Sequence, residues 1–367
     1  MSLQGISYSL RKVFGHLDGI LLALVCAVLL ISAATVFSAS GQSMPRLTGH
    51  LINMALALGV MVVMANIPPH ILARSGPLLY TVGVVLLVAV ALFGEVRNGS
   101  RRWLDLGFAF QPSELLKIAL PLMLAWYFQR NETILSWKHH AMGGLLLIVP
   151  FVLILRQPDL GTALLIGASG FYLLFFAGLS WKIIVGGMTV VLASLPLAWN
   201  MMHGYQRQRV MTLLDPGSDP LGAGYHIIQS TIAIGSGGLL GDGWMRGTQN
   251  QLDFIPERTT DFVFAVFGEE FGYLGVIVLL LLYMGITARG LVIAARASTL
   301  FGRLMAGTIS LNFFTYVFVN MGMVSGVLPV VGVPLPLMSY GGTAMITLLL
   351  GLGIVMSVAT HRQLNKS

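Results

Sequence analysis

Ten apolar runs dominate this chain and decide what it can fold into. They cover residues 20–37, 51–66, 77–93, 113–128, 141–155, 161–179, 183–202, 262–287, 304–324 and 343–360. A helix needs about 20 mostly apolar residues to cross a bilayer, with a range of about 17–25. Several runs reach that length, and the shorter ones extend into their flanks. Charged residues make up only 10% of the 367, against roughly 25% in soluble domains. Too few remain to cover a water-facing surface. The chain is therefore expected to be an all-α polytopic membrane protein. It forms one transmembrane domain over residues 1–367, with a large extracytoplasmic loop at 203–260 between helices 7 and 8. The single cysteine, Cys26, excludes a disulfide scaffold. The basic residues are scattered between the spans, which argues against nucleic-acid binding.

Lysine and arginine in the short loops set the orientation. With the N-terminus inside, Arg11, Lys12, Arg74, Arg130, Lys138, Lys182, Arg289, Arg296, Arg303, Arg362 and Lys366 share the cytoplasmic side, out of 21 basic residues. Of the 14 acids only Asp18 and Glu132 join them. Ten spans return the C-terminus to the same side. The first run, with about 18 apolar residues, is longer than the roughly 7–15 of a signal peptide and reads as an uncleaved span.

The outward loops collect the groups able to do chemistry. Residues 94–112 carry Arg101 and Arg102 beside Trp103. They read either as an interfacial loop with an aromatic anchor or as a basic rim for an anionic headgroup. Pro112 or Ser113 starts the fourth run and sets Glu114 and Lys117 three residues apart on one helical face. An ionisable pair at membrane depth is costly and faces a polar interior. It suits a salt bridge between helices or a cavity wall. Arg156 and Asp159 read as a local pair at the next turn.

In the long loop, Arg207 and Arg209 offer planar forks for phosphate oxygens. They fall on one side of an extended strand, or about 200° apart on a helix. Residues 229–243 start as a short helix and end as a glycine loop without P-loop spacing. Asp261 sits where the loop meets the eighth run, close to Arg258. It is placed either as a general base or as a helix N-cap. Gly268, Glu269, Glu270 and Gly272 put the first half of that run at the interface. Three prolines within the apolar residues 326–342 forbid a continuous helix, so this segment must be buried in protein or line a cavity. Asn312 and Asn320 read as interhelical hydrogen bonds.

The eight histidines show no metal-ligand spacing. A Mg²⁺ or Mn²⁺ held by one carboxylate and pyrophosphate oxygens would leave no motif, and no organic cofactor is expected. The residues alone support two classes: an enzyme acting on a lipid-linked anionic substrate, or a transporter of such a lipid. The apolar cytoplasmic half favours the enzyme over a flippase.

Several long motifs then carry a resemblance. They are YQRQRV at 205–210, LDPGSDPLGAGYHIIQS at 214–230, AIGSGGLLGDG at 233–243, FIPERTTDFVFAVFGEEFG at 254–272 and GVPLPLMSYGGTA at 332–344. In this order they resemble the SEDS family (shape, elongation, division and sporulation), and its cell-elongation branch more than the division one. The resemblance implies ten transmembrane helices with cytoplasmic termini in the bacterial inner membrane and a site facing the exterior. It implies glycosyltransfer from lipid II into β-1,4 glycan strands by inverting displacement of undecaprenyl pyrophosphate. It puts the essential aspartate on Asp261 and the cavity pair on Glu114 and Lys117. It also implies a class B penicillin-binding protein, a transpeptidase, as partner. Arg207, Arg209 and Arg258, then Arg101 and Arg102, are the candidates for the leaving pyrophosphate. The competing readings are a lipid II flippase and a non-catalytic scaffold for the transpeptidase.

Overall fold

A computed structural model describes residues 15–97, 100–105, 109–134, 136–157, 159–201, 204–219 and 222–361. Each apolar run is a helix. They are α1 (Gly19–Ala39), α2 (Met44–Ala65), α3 (Pro69–Phe93), α4 (Pro112–Arg130), α5 (Trp137–Leu155), α6 (Leu160–Phe176), α7 (Trp181–Met201), α11 (Val263–Ala295), α12 (Leu300–Val324) and α13 (Gly342–Thr360). Among the described residues, seven helices are long and apolar enough to cross a membrane on those grounds alone. Helix α4 falls short because it carries the Glu114–Lys117 pair, and α6 because it has 17 residues; α7 is apolar over the described stretch Trp181–Ser194.

Local chemistry sets the helix starts. Asp18 accepts the Leu21 N–H at 3.0 Å to begin α1. Both of its oxygens also take Arg289 of α11, at 3.0 and 2.6 Å, and that guanidinium holds the Asp18 carboxyl below its usual range. Asp159 caps α6 through the Thr162 N–H at 3.1 Å. Thr299 caps α12 through Gly302 at 3.1 Å. Proline stands in the first turn of α2, α3 and α4, where its missing N–H costs no helical bond.

The bundle is organised around α12, with 67% of its apolar window buried. Helix α7 is the opposite, exposed along almost its whole length, as lipid solvent permits. Loops expected on one side of the membrane do meet. At one end Asp18 meets Arg289, the His16 and His361 rings stack at 4.2 Å, and Glu132 faces Arg303 at 3.9 Å. The other end carries the long loop. There residues 94–112 hold three short antiparallel strands, β1 (Glu95–Arg97), β2 (Ser100–Asp105) and β3 (Ala109–Phe110), in the order β1-β2-β3.

The long loop folds as α8 (Gly204–Leu214), a 3-10 turn (Pro216–Ser218), α9 (Ala223–Ser236) and the single turn α10 (Thr248–Gln251). Between α9 and α10 it docks onto α11 in an unexpected way. Helix α11 breaks at Gly272, where φ is 64° and ψ −168°. A broken helix leaves carbonyls unpaired before the break and N–H groups unpaired after it. The loop pairs both. The N–H groups of Asp242 and Gly243 donate to the carbonyls of Glu269 and Glu270, each at 3.0 Å. Beyond the break, the N–H groups of Tyr273 and Leu274 donate to the carbonyls of Gly238 and Leu239, at 2.9 and 3.1 Å.

The first half of the eighth run, expected at the interface, is enclosed by the rest of the chain. Residues 262–270 are buried in protein. Buried, Glu269 is hydrogen-bonded through both oxygens and Glu270 through one. Glu269 accepts the N–H groups of Gln249 and Asn250 at 2.7 and 3.2 Å, and Glu270 accepts the Ser38 hydroxyl of α1.

Candidate active site

Asp261 is the last residue but one before α11, and its backbone lies in a fixed stretch. Three successive carbonyls are each held by a different group. Thr259 accepts the Tyr340 N–H at 2.8 Å. Thr260 accepts the Ser339 hydroxyl at 2.6 Å. Asp261 accepts the Asn320 side-chain amide at 2.8 Å. The same Asn320 nitrogen donates to Val333 at 2.7 Å. Asn320 is thus more than a link between helices: it ties the Asp261 peptide to the proline-rich segment. That segment closes on itself through the Leu335 N–H to Ser339 Oγ, 2.8 Å.

The carboxylate of Asp261, in contrast, accepts no hydrogen bond among the described residues. The N-cap position of α11 is Phe262, and no side chain caps the helix. Of the two readings open for Asp261, capping therefore finds no geometry here. The group is mostly buried. Desolvation, with the negative charge of Glu257 second, pushes its carboxyl up to about 6. That value is suited to proton transfer near neutral pH. His226 of α9 stacks on the neighbouring Phe262 at 5.3 Å. Burial lowers its pKa against the opposing pull of Glu257 and Asp219.

A cavity of about 170 Å³ opens beside this stretch. Its walls include Arg102, Gln111, Glu114, Lys117, Asp159 and Gly332. Gly332 joins the cavity to Asp261. It has φ +70°, and a Cβ there would lie 3.5 Å from Asp261 Oδ2. The proline-rich segment therefore lines the cavity, as its sequence requires.

On the far wall Lys117 bonds Glu114 Oε1 at 2.5 Å, and Thr347 of α13 donates to Oε2 at 3.2 Å. The pair lies within α4 and faces the cavity. The pair is therefore a wall of the cavity, and its salt bridge closes within one helix instead of joining two. Arg102 pairs with Asp159 at 3.4 Å, and Gln111 donates to the same oxygen at 3.4 Å. Asp159 does not pair with Arg156 as the sequence suggested. Strand β2 explains the difference. Arg102 is two residues from the buried Leu104, so both point to the same face, toward Asp159.

The remaining arginines stand elsewhere. Residues 204–214 are helical, so Arg207 and Arg209 do not belong to an extended strand. Arg207 donates to the carbonyls of Trp199 and Asn200 at 2.8 and 2.7 Å, closing the end of α7. Arg258 is committed to Asp253 and the Asn250 carbonyl. The side chains of Arg101 and Arg209 lie outside the described residues. Among the described residues no three His, Cys, Asp or Glu side chains converge on a metal position. The sequence reading passed over Gln111 and Asp159 as site residues. The signal for Asp159 was the polar turn between two apolar spans, and for Gln111 its place directly before the Pro112 helix start.

Comparison with known proteins places this geometry. The model of the cell cycle protein family FtsW/RodA/SpoVE matches residues 16–364. The chain is 54% identical over 351 residues to the peptidoglycan glycosyltransferase MrdB of Escherichia coli K12, covering 95% of each. It is 33% identical over 361 residues to MrdB of Helicobacter pylori, covering 96% of this chain and 92% of that one. Its fold matches a chain from a study titled as the structural coordination of polymerization and crosslinking by a peptidoglycan synthase complex. The TM-score is 0.82 at 36% identity, covering 95% and 99% of the two chains. It also matches Thermus thermophilus RodA, a rod shape determining protein, with TM-score 0.71 at 30% identity over 94% and 97%. A match along nearly the whole length, on the same helical fold, makes this multi-pass membrane chain a member of the FtsW/RodA/SpoVE, or SEDS, family.

Proposed function

We propose that this chain polymerises lipid II into β-1,4 glycan strands at the outer face of the bacterial inner membrane, during cell elongation. The activity class is that of peptidoglycan glycosyltransferases, the description its 54%-identical relative carries. The observation that carries the mechanism is Asp261: a carboxylate on a pinned backbone, accepting no hydrogen bond among the described residues, beside a cavity that holds Lys117 and Arg102.

In this reading Asp261 takes the proton from the 4-hydroxyl of the acceptor sugar. The oxygen attacks the anomeric carbon of the donor from the face opposite its pyrophosphate. The new C–O bond forms as the bond to pyrophosphate breaks, and undecaprenyl pyrophosphate leaves with the electron pair. One displacement converts an α-linked donor to a β-linked product. Negative charge grows on the leaving group, where cations act most strongly. Arg102 is the described arginine at the cavity. Its 3.4 Å ion pair and 32% side-chain exposure leave it able to re-pair with phosphate. Arg207 and Arg258 are already spent on local contacts and serve the loop's shape. A Mg²⁺ or Mn²⁺ ion fits only with substrate oxygens completing its shell, since Asp261 is a single carboxylate. Bound there, it would add positive charge to the leaving pyrophosphate. The partner is a class B penicillin-binding protein, a transpeptidase that crosslinks the emerging strand.

The test uses the full chain purified with that partner, its transpeptidase silenced. Wild type is expected to polymerise lipid II, and folded, partner-bound Asp261→Asn and Asp261→Ala to make no polymer. Undiminished polymer from both variants sinks the catalytic role of Asp261. Lipid II transfer across vesicles without polymer would install the flippase instead.

A further inference from the structure

Beneath the Glu114–Lys117 pair lies a second, smaller cavity of about 30 Å³. It sits between α4, α6, α12 and α13, and Lys117, Ser169, Asn312, Tyr316 and Thr347 contribute its polar walls. Two wall atoms are buried without a hydrogen bond: Ser169 Oγ and Asn312 Oδ1. Ser169 is 1% exposed. One turn before Asn312, Thr308 Oγ1 is buried and unbonded as well. Lys117 supplies the opposite chemistry. An ammonium has three N–H donors; one serves Glu114 and another the side chain of Tyr316, whose ring centre lies 5.5 Å from Nζ.

Empty cavities in proteins are apolar, whereas polar ones hold water. A water molecule needs about 10–15 Å³ on this measure and two to four polar partners. This cavity meets both conditions. It is too small for a sugar or a phosphate, and Lys117 repels a cation.

We propose that it is a water site. Ordered water accepts from Lys117 Nζ and donates to Asn312 Oδ1 and Ser169 Oγ. Ser169 and Asn312 are then positioning residues. Through the water they hold the ammonium at one depth, against Glu114 and facing the substrate cavity. They also join α6 to α12 directly below the site. The significance of holding Lys117 rests on the glycosyltransferase reading; the hydration itself does not.

Two measurements test the proposal. A wild-type structure at water-resolving resolution is expected to show density within hydrogen-bonding distance of Lys117, Ser169 and Asn312. A dry or collapsed cavity overturns the site. In lipid II polymerisation with the partner present, Ser169→Cys is nearly isosteric but a weak hydrogen bonder. It is expected to lose roughly tenfold in kcat with KM unchanged, whereas Ser169→Thr keeps the hydroxyl and the rate. Full activity in Ser169→Cys, or equal loss in both variants, overturns the positioning role. Failure of the enzymatic reading would show separately, as an inactive wild type.

Discussion

Asn320 reaches the backbone carbonyl of Asp261 at 2.8 Å, and with the same nitrogen the carbonyl of Val333 at 2.7 Å. One side chain of α12 thereby sets the distance between the candidate base and the segment that lines its cavity. Asn320→Ala removes both bonds while keeping the Asp261 side chain in the sequence. Misplacing a catalytic group by about 1 Å costs on the order of 100-fold in rate. The variant is expected to lose roughly 10- to 100-fold in kcat, with a smaller change in the KM for lipid II. Steady-state polymerisation with the partner complex measures it. An unchanged kcat would show that the carboxylate finds its position without Asn320.

The raised carboxyl of Asp261 predicts a pH dependence of known sign. The base must be ionised, so polymerisation is expected to fall as pH drops through about 6. Stability runs the other way. A carboxyl whose folded pKa lies above its unfolded value near 3.8 binds its proton more tightly when folded. Its contribution is present below 3.8 and lost as pH rises through about 6. Asp261→Asn mimics the neutral form. It is expected to be inactive yet as stable as wild type at pH 7, or more stable by about 1–3 kcal/mol. Thermal melting in detergent checks this, and a marked loss of stability would return Asp261 to a structural role.

The Glu114–Lys117 pair predicts a thermodynamic cycle. The side chains are 17% and 7% exposed. Removing one partner leaves the other buried and uncompensated, at about 3–5 kcal/mol. Glu114→Gln alone is therefore expected to melt earlier than the double variant Glu114→Gln/Lys117→Met. If the double variant is instead the less stable, the pair is a net source of stability and not a polar lining kept for function.

Gly272 is expected to tolerate no side chain. Its φ and ψ fall in a region nearly restricted to glycine, and a Cβ would stand 2.3 Å from the backbone nitrogen of Gly241. Gly272→Ala should cost about 3 kcal/mol or more, read as loss of folded protein on expression. A wild-type melting curve for this variant would mean that the break in α11 can be rebuilt elsewhere.

Helix positions were legible in the sequence because lipid leaves few options for an apolar run of that length. The Glu114–Lys117 pair was legible too, since i,i+3 spacing after Pro112 decides its geometry. What escaped was whatever depends on tertiary pairing. Arg102 and Arg101 are adjacent in sequence, and only the small sheet shows that Arg102 shares a face with Leu104. Arg207 looked free for phosphate because nothing in the sequence shows the carbonyls of Trp199 and Asn200 waiting for it. The burial of Glu269 and Glu270 was hidden for the same reason: their partners, Gln249, Asn250 and Ser38, lie in a distant loop and in α1.

The splice at Gly272 limits how the outer loop can move. Residues 238–243 complete the hydrogen bonding of a membrane helix on both sides of its break. Lifting them away as a lid would expose several backbone groups of α11 at once, in a medium poor in water. The described residues of α7, by contrast, are exposed along almost the whole helix. Residues 238–243 travel only with α11. A force applied to the exterior surface there, by a partner or by the growing strand, would be transmitted straight into the stretch that carries Asp261.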